Sequence, residues 1–283
     1  MENSKTSQPS GRGRRHLVEV AVVGWIDLLG YGSMLRRAAF DPTVPEAIAA
    51  IERLALFHET VNSAVSFRLH LAILNDGAIA YLDLSPRSRS VTFDFVAQVV
   101  ALHQRVNERD QGQGYPGART VIAAGFRHRG FKQDRPNFLA DNLVRRAKRG
   151  TLNAPEAVQK ALRLRHSART VPELQANFAF TRAYLADQSG SRAGLAGPHL
   201  FLDLCLFEVP PPEWIHLDAT IPWSVEGMST AFGRLAVLDR KAAGRVGHVG
   251  IRNALEVADG LSPHDGAARR IRALVLRGNS RAR

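Results

Sequence analysis

Two aspartates stand where the chain concentrates its chemistry. Asp27 follows the apolar run Leu17-Val-Glu-Val-Ala-Val-Val23 and lies within Gly24-Trp-Ile-Asp-Leu-Leu-Gly-Tyr-Gly32. A carboxylate directly after a strand that should be buried is costly unless a cation stands nearby. It fits a helix N-cap or a salt-bridged residue. It equally fits a metal ligand, with the amides of Leu28, Leu29, Gly30, Tyr31 and Gly32 turned toward phosphate oxygens where the loop enters a helix. Gly30 and Gly32 would allow close approach of the backbone. Asp76 lies in Asn75-Asp76-Gly77, a good type I′ turn in its own right. Strand, carboxylate, glycine loop, helices, strand and carboxylate turn can nevertheless bring the two acids together. Two hard oxygen ligands suit a pair of Mg²⁺ or Mn²⁺ ions holding a triphosphate.

Other reactive residue types carry less. The single cysteine, Cys205, sits in Leu200-Phe-Leu-Asp-Leu-Cys-Leu-Phe207 and reads as a buried small hydrophobe. It also excludes an intramolecular disulfide framework. The ten histidines form no HxxxH pair and no His/Cys cluster with zinc spacing. Arg119 opens a strand-like run and reads as a base or phosphate contact or as an edge arginine. Tyr31 reads either as a residue packing on a nucleotide or as core, and Trp25, Trp214 and Trp223 as core or interface aromatics.

The elements that must position these groups follow from local patterning. Leu17–Val23, rich in β-branched residues, is expected as a central strand. Helical spacing follows at Ser33-Met-Leu-Arg-Arg37 and from Pro45 to Phe57. Phe67–Leu74 and Ala78–Leu84 flank the Asn-Asp-Gly turn as a hairpin. A helix is expected over Phe93–Val106, a strand over Ala118–Gly125, a helix over Leu174–Ala186 and a strand over His199–Phe207. Beyond Pro210-Pro211-Pro212, short strands are expected at Ile215 and Trp223, with helices over Val225–Ala242 and Arg252–Val257. Residues 1–15 read as a disordered basic tail, 131–170 as a basic helical insertion, 208–264 as an extension packed on the domain or on a dimer interface, and 265–283 as an Arg-rich tail.

Charge and hydropathy bound the function. The 283 residues are 45% hydrophobic and carry a formal net charge of +12. That composition excludes disorder throughout and on its face suggests an anionic partner. Most of the excess lies at the ends: residues 1–16 hold Lys5, Arg12, Arg14 and Arg15 against Glu2, and residues 265–283 hold six arginines against Asp265. From Phe126 to Arg149 eight Lys and Arg oppose two Asp. No helix-turn-helix, zinc-finger or RRM-type signature accompanies these stretches, so no specific nucleic acid is expected, although a basic nucleic-acid-binding module without catalysis is the reading from a different class. There is no run of roughly 18 uncharged apolar residues and no apolar signal core, so a soluble, cytoplasmic protein with no membrane association is expected.

Three junctions in order resemble the class III nucleotide cyclase family. The family's first strand ends in Phe-x-Asp-[Ile/Leu]-x-Gly-[Phe/Tyr], matched here by Trp25-Ile-Asp27-Leu-Leu-Gly30-Tyr31. Its second metal Asp lies in the next hairpin turn, matched by Leu74-Asn-Asp76-Gly-Ala-Ile79. A later Arg-x-Gly/Ala-[Ile/Val]-x-x-Gly strand is similar to Arg119-Thr-Val-Ile-Ala-Ala-Gly125. The match spans about residues 17–207 without the insertion. Within the family, the short Asp-x-x-Gly-[Phe/Tyr] start and the segment Leu174–Tyr184 resemble the bacterial pyrimidine cyclases of Pycsar antiphage systems.

The resemblance implies an α+β fold with a ferredoxin-like core, a mostly antiparallel sheet with helices, and a helical insertion. It implies a homodimer that converts UTP or CTP to a 3′,5′-cyclic monophosphate and pyrophosphate, with the product activating a separate effector protein in antiphage defence. It assigns two Mn²⁺ or Mg²⁺ ions to Asp27, the Leu28 carbonyl and Asp76, and the triphosphate to Leu28, Leu29, Gly30, Tyr31, Gly32 and Arg119. Purine cyclases carry a base-reading Lys four residues before the hairpin Asp. Here that position is Ala72, which argues against a purine nucleotide cyclase in ordinary signalling, the nearer alternative. The family's transition-state Asn and Arg, four apart on one helix, are matched only by Asn177 and Arg182, which are five apart and about 140° apart around a regular helix.

Overall fold

The computed structural model describes residues 17–66, 69–129, 142–143, 145–165, 171–225, 227–246, 248–262 and 265–279. The expected N-terminal tail and much of the expected insertion lie outside the described residues. Seven strands form one sheet in the order β2-β3-β1-β4-β5-β7-β6. Their bounds are β1 Leu17–Leu28, β2 His70–Leu74, β3 Gly77–Asp83, β4 Ala118–Arg129, β5 Leu200–Asp203, β6 Ile215–Val225 and β7 Met228–Leu238. Every adjacent pair is antiparallel except β4 with β5. The helices are α1 Tyr31–Arg37, α2 Pro45–Asn62, α3 Ser90–Gln111, α4 Ala154–Arg165, α5 Phe178–Ser189, α6 Arg240–Arg245, α7 Ala254–Leu261 and α8 Asp265–Asn279. The order β1, α1 and α2, β2, β3, α3, β4 with sheet order 2-3-1-4 is a ferredoxin-like βαββαβ unit, so the fold is α+β.

Central β1 sorts its side chains by alternation. Val20 and Val22 join a core with α3, α7 and α8, whose Phe95, Val99, Val257 and Val275 are all 0% exposed. Ala21, Val23 and Trp25 face the other way, into a core with Ala179, Ala183 and Ala186 of α5 and with Trp223 and Phe232 of the last hairpin. Near the end of the strand Ile26 and Leu28 pack with Tyr31, Phe57 and Leu102. Small residues on α5 permit close approach: a Cβ on Gly125 of β4 would lie 2.4 Å from the Ala179 amide nitrogen.

β1 runs five residues past the expected end, carrying Asp27 within the sheet and not after it. The C-terminal region departs more. The expected helix over Val225–Ala242 is instead β7, hairpin partner of β6, followed by the short α6. Met228, Phe232 and Leu235 are spaced as in a helix, but Phe201, Leu202 and Asp203 of β5 offer an open edge that pairs with Phe232, Gly233 and Arg234. The extension thus continues the sheet. The stretch expected as an Arg-rich tail contains α8, whose Val275 and Ala267 are buried while Arg269, Arg270 and Arg272 are exposed.

Candidate active site

Alternation along β1 places Asp27 on the same face as Trp25, toward α5. In register Asp27 lies opposite Gly77 of β3 on one side and Arg119 of β4 on the other. The turn before Gly77 carries Asp76, so both acids stand at one end of neighbouring strands. The Leu28 amide donates to the Asp76 carbonyl at 3.0 Å, which pins the turn to the strand end. Asn75 holds the left-handed φ of 54° that a tight turn demands, and its side-chain amide donates to Asp76 Oδ1 at 3.0 Å.

Asp27 is held at about 7 rather than at 3.8, first by burial, then by Asp187 and Asp76, with Arg119 opposing. Among the described residues no hydrogen bond or ion pair holds its carboxylate. The chain therefore gathers three carboxylates here and sets the Arg119 guanidinium, paired to Asp187, beside them. A divalent cation would relieve that repulsion, and a donor set of carboxylate and carbonyl oxygens suits Mg²⁺ or Mn²⁺. No group of three or more His, Cys, Asp and Glu side chains able to hold a metal occurs among the described residues. The fit is thus to an ion that takes its other ligands from backbone, water or substrate oxygens, as Mg²⁺ commonly does.

The remaining residues singled out by sequence divide. Leu28 is core, and its amide is used by Asp76. The Leu29 amide donates to the Gly117 carbonyl at 3.0 Å, so neither leucine amide faces a phosphate as expected. Gly30 holds φ 77°, a left-handed conformation that lets the chain turn from β1 into α1. Gly30, Tyr31 and Gly32 open that helix, where amides have no partner within the helix. The Tyr31 ring is core, 5% exposed, with its phenol raised by burial and by Asp76. Arg119 donates from Nε to Asp187 Oδ1 at 2.6 Å, from Nη2 to the Asp187 carbonyl at 2.9 Å and from Nη1 to the Leu195 carbonyl at 3.0 Å.

Within this chain Asn177 and Arg182 each have partners of their own. Asn177 is the N-cap of α5: its oxygen accepts from the Phe180 amide at 3.1 Å and its Nδ2 donates to the Glu173 carbonyl at 2.8 Å. Arg182 is buried against the sheet, 3.3 Å from Asp203 Oδ2 and donating to the carbonyls of Ala124 and Ser229. Asp203 is fully buried and needs a cation, and among the described residues it meets Arg182. Both side chains anchor α5 within this chain. Cys205 is inert as expected, its thiol pushed well up by burial and by Asp203.

Sequence reasoning missed Asp187 and the buried pair Arg53 and Asp110. Asp187 is 1% exposed, and its Oδ2 has no hydrogen-bond partner. The signal was present. Arg53 falls on the apolar stripe Ala47, Ala50, Phe57, Val61 of α2, and Asp187 follows the stripe Ala179, Ala183, Ala186 of α5. A charge on a buried stripe must have a partner.

No protein-family model and no curated protein matches the chain. Among solved structures, it is similar to the guanylyl cyclase Cya2 at 11% identity and TM-score 0.47, over 83% of this chain and 98% of that one. It is also similar to the catalytic core of a rhodopsin-guanylyl cyclase with converted specificity, in complex with ATPαS, at 9% identity and TM-score 0.34, over 78% and 97% of the two chains. The guanylate cyclase domain of RhGC from Catenaria anguillulae, in complex with GTP, is similar at 8% identity and TM-score 0.31, over 78% and 97%. At TM-scores below 0.5 these similarities assign no activity to this chain.

Proposed function

We propose that this chain is a nucleotide cyclase acting on a pyrimidine nucleoside triphosphate, UTP or CTP. The observation that carries the reading is the placement of Asp27 and Asp76 at one end of neighbouring strands in a βαββαβ sheet, with Arg119 beside them already paired to Asp187. Those are the two positions that the Trp25-Ile-Asp-Leu-Leu-Gly-Tyr31 and Leu74-Asn-Asp-Gly77 segments mark as acidic metal ligands by resemblance.

The reaction is an in-line displacement within one molecule. The ribose 3′-oxygen bonds to the α-phosphorus, the bond from that phosphorus to the bridging oxygen breaks, pyrophosphate leaves, and the 3′-hydroxyl proton goes to solvent. Such a transfer needs positioning and charge stabilisation more than covalent help. Asp27, Asp76 and the Leu28 carbonyl would hold two divalent ions, which when bound acidify the 3′-hydroxyl and neutralise charge on the triphosphate. Asp27 must first lose the proton that burial favours. The amides from Gly30 to Gly32 receive β- and γ-oxygens, and Arg119, tied to Asp187 on the same face, supplies the nearest positive charge.

Ala72 supports a pyrimidine. It lies on β2 opposite Ile79 and offers neither charge nor hydrogen bond where purine cyclases carry a Lys. By the same resemblance the enzyme is a homodimer whose cyclic product activates a separate effector in antiphage defence. Light scattering on the purified chain tests the dimer, and a monomeric mass during turnover would exclude it. Turnover with Mn²⁺ and each of the four nucleoside triphosphates, with products identified by mass spectrometry, tests the activity.

A further inference from the structure

We infer that Arg53 is a positioning residue that fixes the Leu29–Gly30 peptide so that the Gly30 amide faces the triphosphate. The inference rests on the cyclase reading for the identity of the ligand, but its geometry stands on contacts within this chain. The Arg53 side chain is 0% exposed and forms a fork with Asp110 of α3, Nε to Oδ1 at 2.8 Å and Nη2 to Oδ2 at 2.8 Å. The same Nη2 donates to the Leu29 carbonyl at 3.1 Å. The guanidinium lies 4.7 Å from the Tyr115 ring centroid, where its face is covered. Asp110 in turn accepts the Gly117 amide at 2.8 Å, and the Gly117 carbonyl accepts the Leu29 amide. Leu29 is therefore held at both its amide and its carbonyl, one through Gly117 and one through Arg53.

Peptide planarity converts this into direction. In a trans peptide the carbonyl and the following N–H point opposite ways. Holding the Leu29 carbonyl inward on Arg53 turns the Gly30 N–H outward, away from the core. The same helix also reaches the other acidic segment: His58 Nε2 donates to the Asn75 carbonyl at 2.7 Å, beside Asp76. Helix α2 thus braces both the Asp27 loop and the Asp76 turn.

Stability alone does not account for such a pair. Buried ion pairs are commonly replaceable by apolar side chains of similar volume at no loss of stability. What an apolar pair cannot do is bind the Leu29 carbonyl and the Gly117 amide. Arg53→Lys keeps the charge but loses the fork, and Arg53→Met with Asp110→Leu removes the pair while filling the core.

The test measures binding of Mn²⁺–tripolyphosphate by calorimetry, hydrogen exchange of residues 28–32 and, with the nucleotide turned over, kcat and KM. Arg53→Lys is expected to weaken tripolyphosphate binding about tenfold or more and to raise KM by a like factor with kcat changed less than about threefold, the pattern of lost uniform binding. Exchange at the Leu28 and Leu29 amides should quicken while the β6–β7 hairpin is unchanged. The apolar double variant should do the same, and it takes the place of the lysine variant if that one does not fold. Wild-type tripolyphosphate affinity in a folded variant would overturn the inference, as would a wild-type protein that binds no tripolyphosphate. Arg53-dependent tripolyphosphate binding without a cyclic product from any nucleotide would overturn the cyclase reading and leave the brace standing.

Discussion

Asp27 sets the terms at the scale of the residue. Its acid form is favoured in the folded chain up to about 7, against 3.8 for a free side chain. Between those values the folded state binds the proton that the unfolded state has released, so metal-free stability falls as pH rises and the loss is complete above about 7. The shift corresponds to a penalty on the order of 4 kcal/mol. Metal-free Asp27→Asn should therefore melt higher than wild type at pH about 8 and nearly level with it at pH about 4. Mn²⁺ affinity of the wild type, measured by calorimetry, should climb with pH and level off near 7. An affinity flat across that range would contradict an Asp27 that holds its proton up to about 7. Arg182 gives the opposite kind of prediction. Removing it strands Asp203, so Arg182→Ala should lose about 3–5 kcal/mol in denaturant unfolding. A variant of wild-type stability that has lost only kcat would return Arg182 to a transition-state role.

At the scale of the element the site is carried by a close contact between strand and helix. β4 and α5 meet backbone to backbone at Gly125, so Gly125→Ala should drive α5 off the sheet and cost about 1–3 kcal/mol or more. Equal urea midpoints for variant and wild type would refute that packing. The βαββαβ frame was legible because its signals are local: Val-rich β1, the Asn75-Asp76-Gly77 turn and Pro45 opening α2 each specify one conformation. The same local signals exposed Asp27 and Asp76. The region after residue 207 was not legible, because β7 pairs along its length with β6 and at Phe232–Arg234 with β5, and that pairing overrides a spacing that reads as helical. The Arg53 fork was hidden for a like reason. Its partners lie 57 residues away at Asp110 and across a loop at Leu29, and no short window contains them.

The whole molecule gathers opposite charges in different places. Its net charge of +12 first suggests nucleic acid, yet much of it is carried by the ends, and the exposed arginines of α8 stand on a helix whose other side is core. No described helix is long and apolar enough to cross a membrane. Under the proposed function the acidic end of the sheet would receive a metal-bound triphosphate, and the surplus positive charge would help draw that anion from solution. The most direct test incubates the purified protein and its Asp27→Ala and Asp76→Ala variants with Mn²⁺ and UTP, CTP, ATP or GTP, and identifies products by mass spectrometry. A 3′,5′-cyclic pyrimidine nucleotide with equimolar pyrophosphate from the wild type, reduced by about a hundredfold or more in either folded variant, is the expected result. No cyclic product from any of the four, or undiminished turnover in both variants, would contradict it.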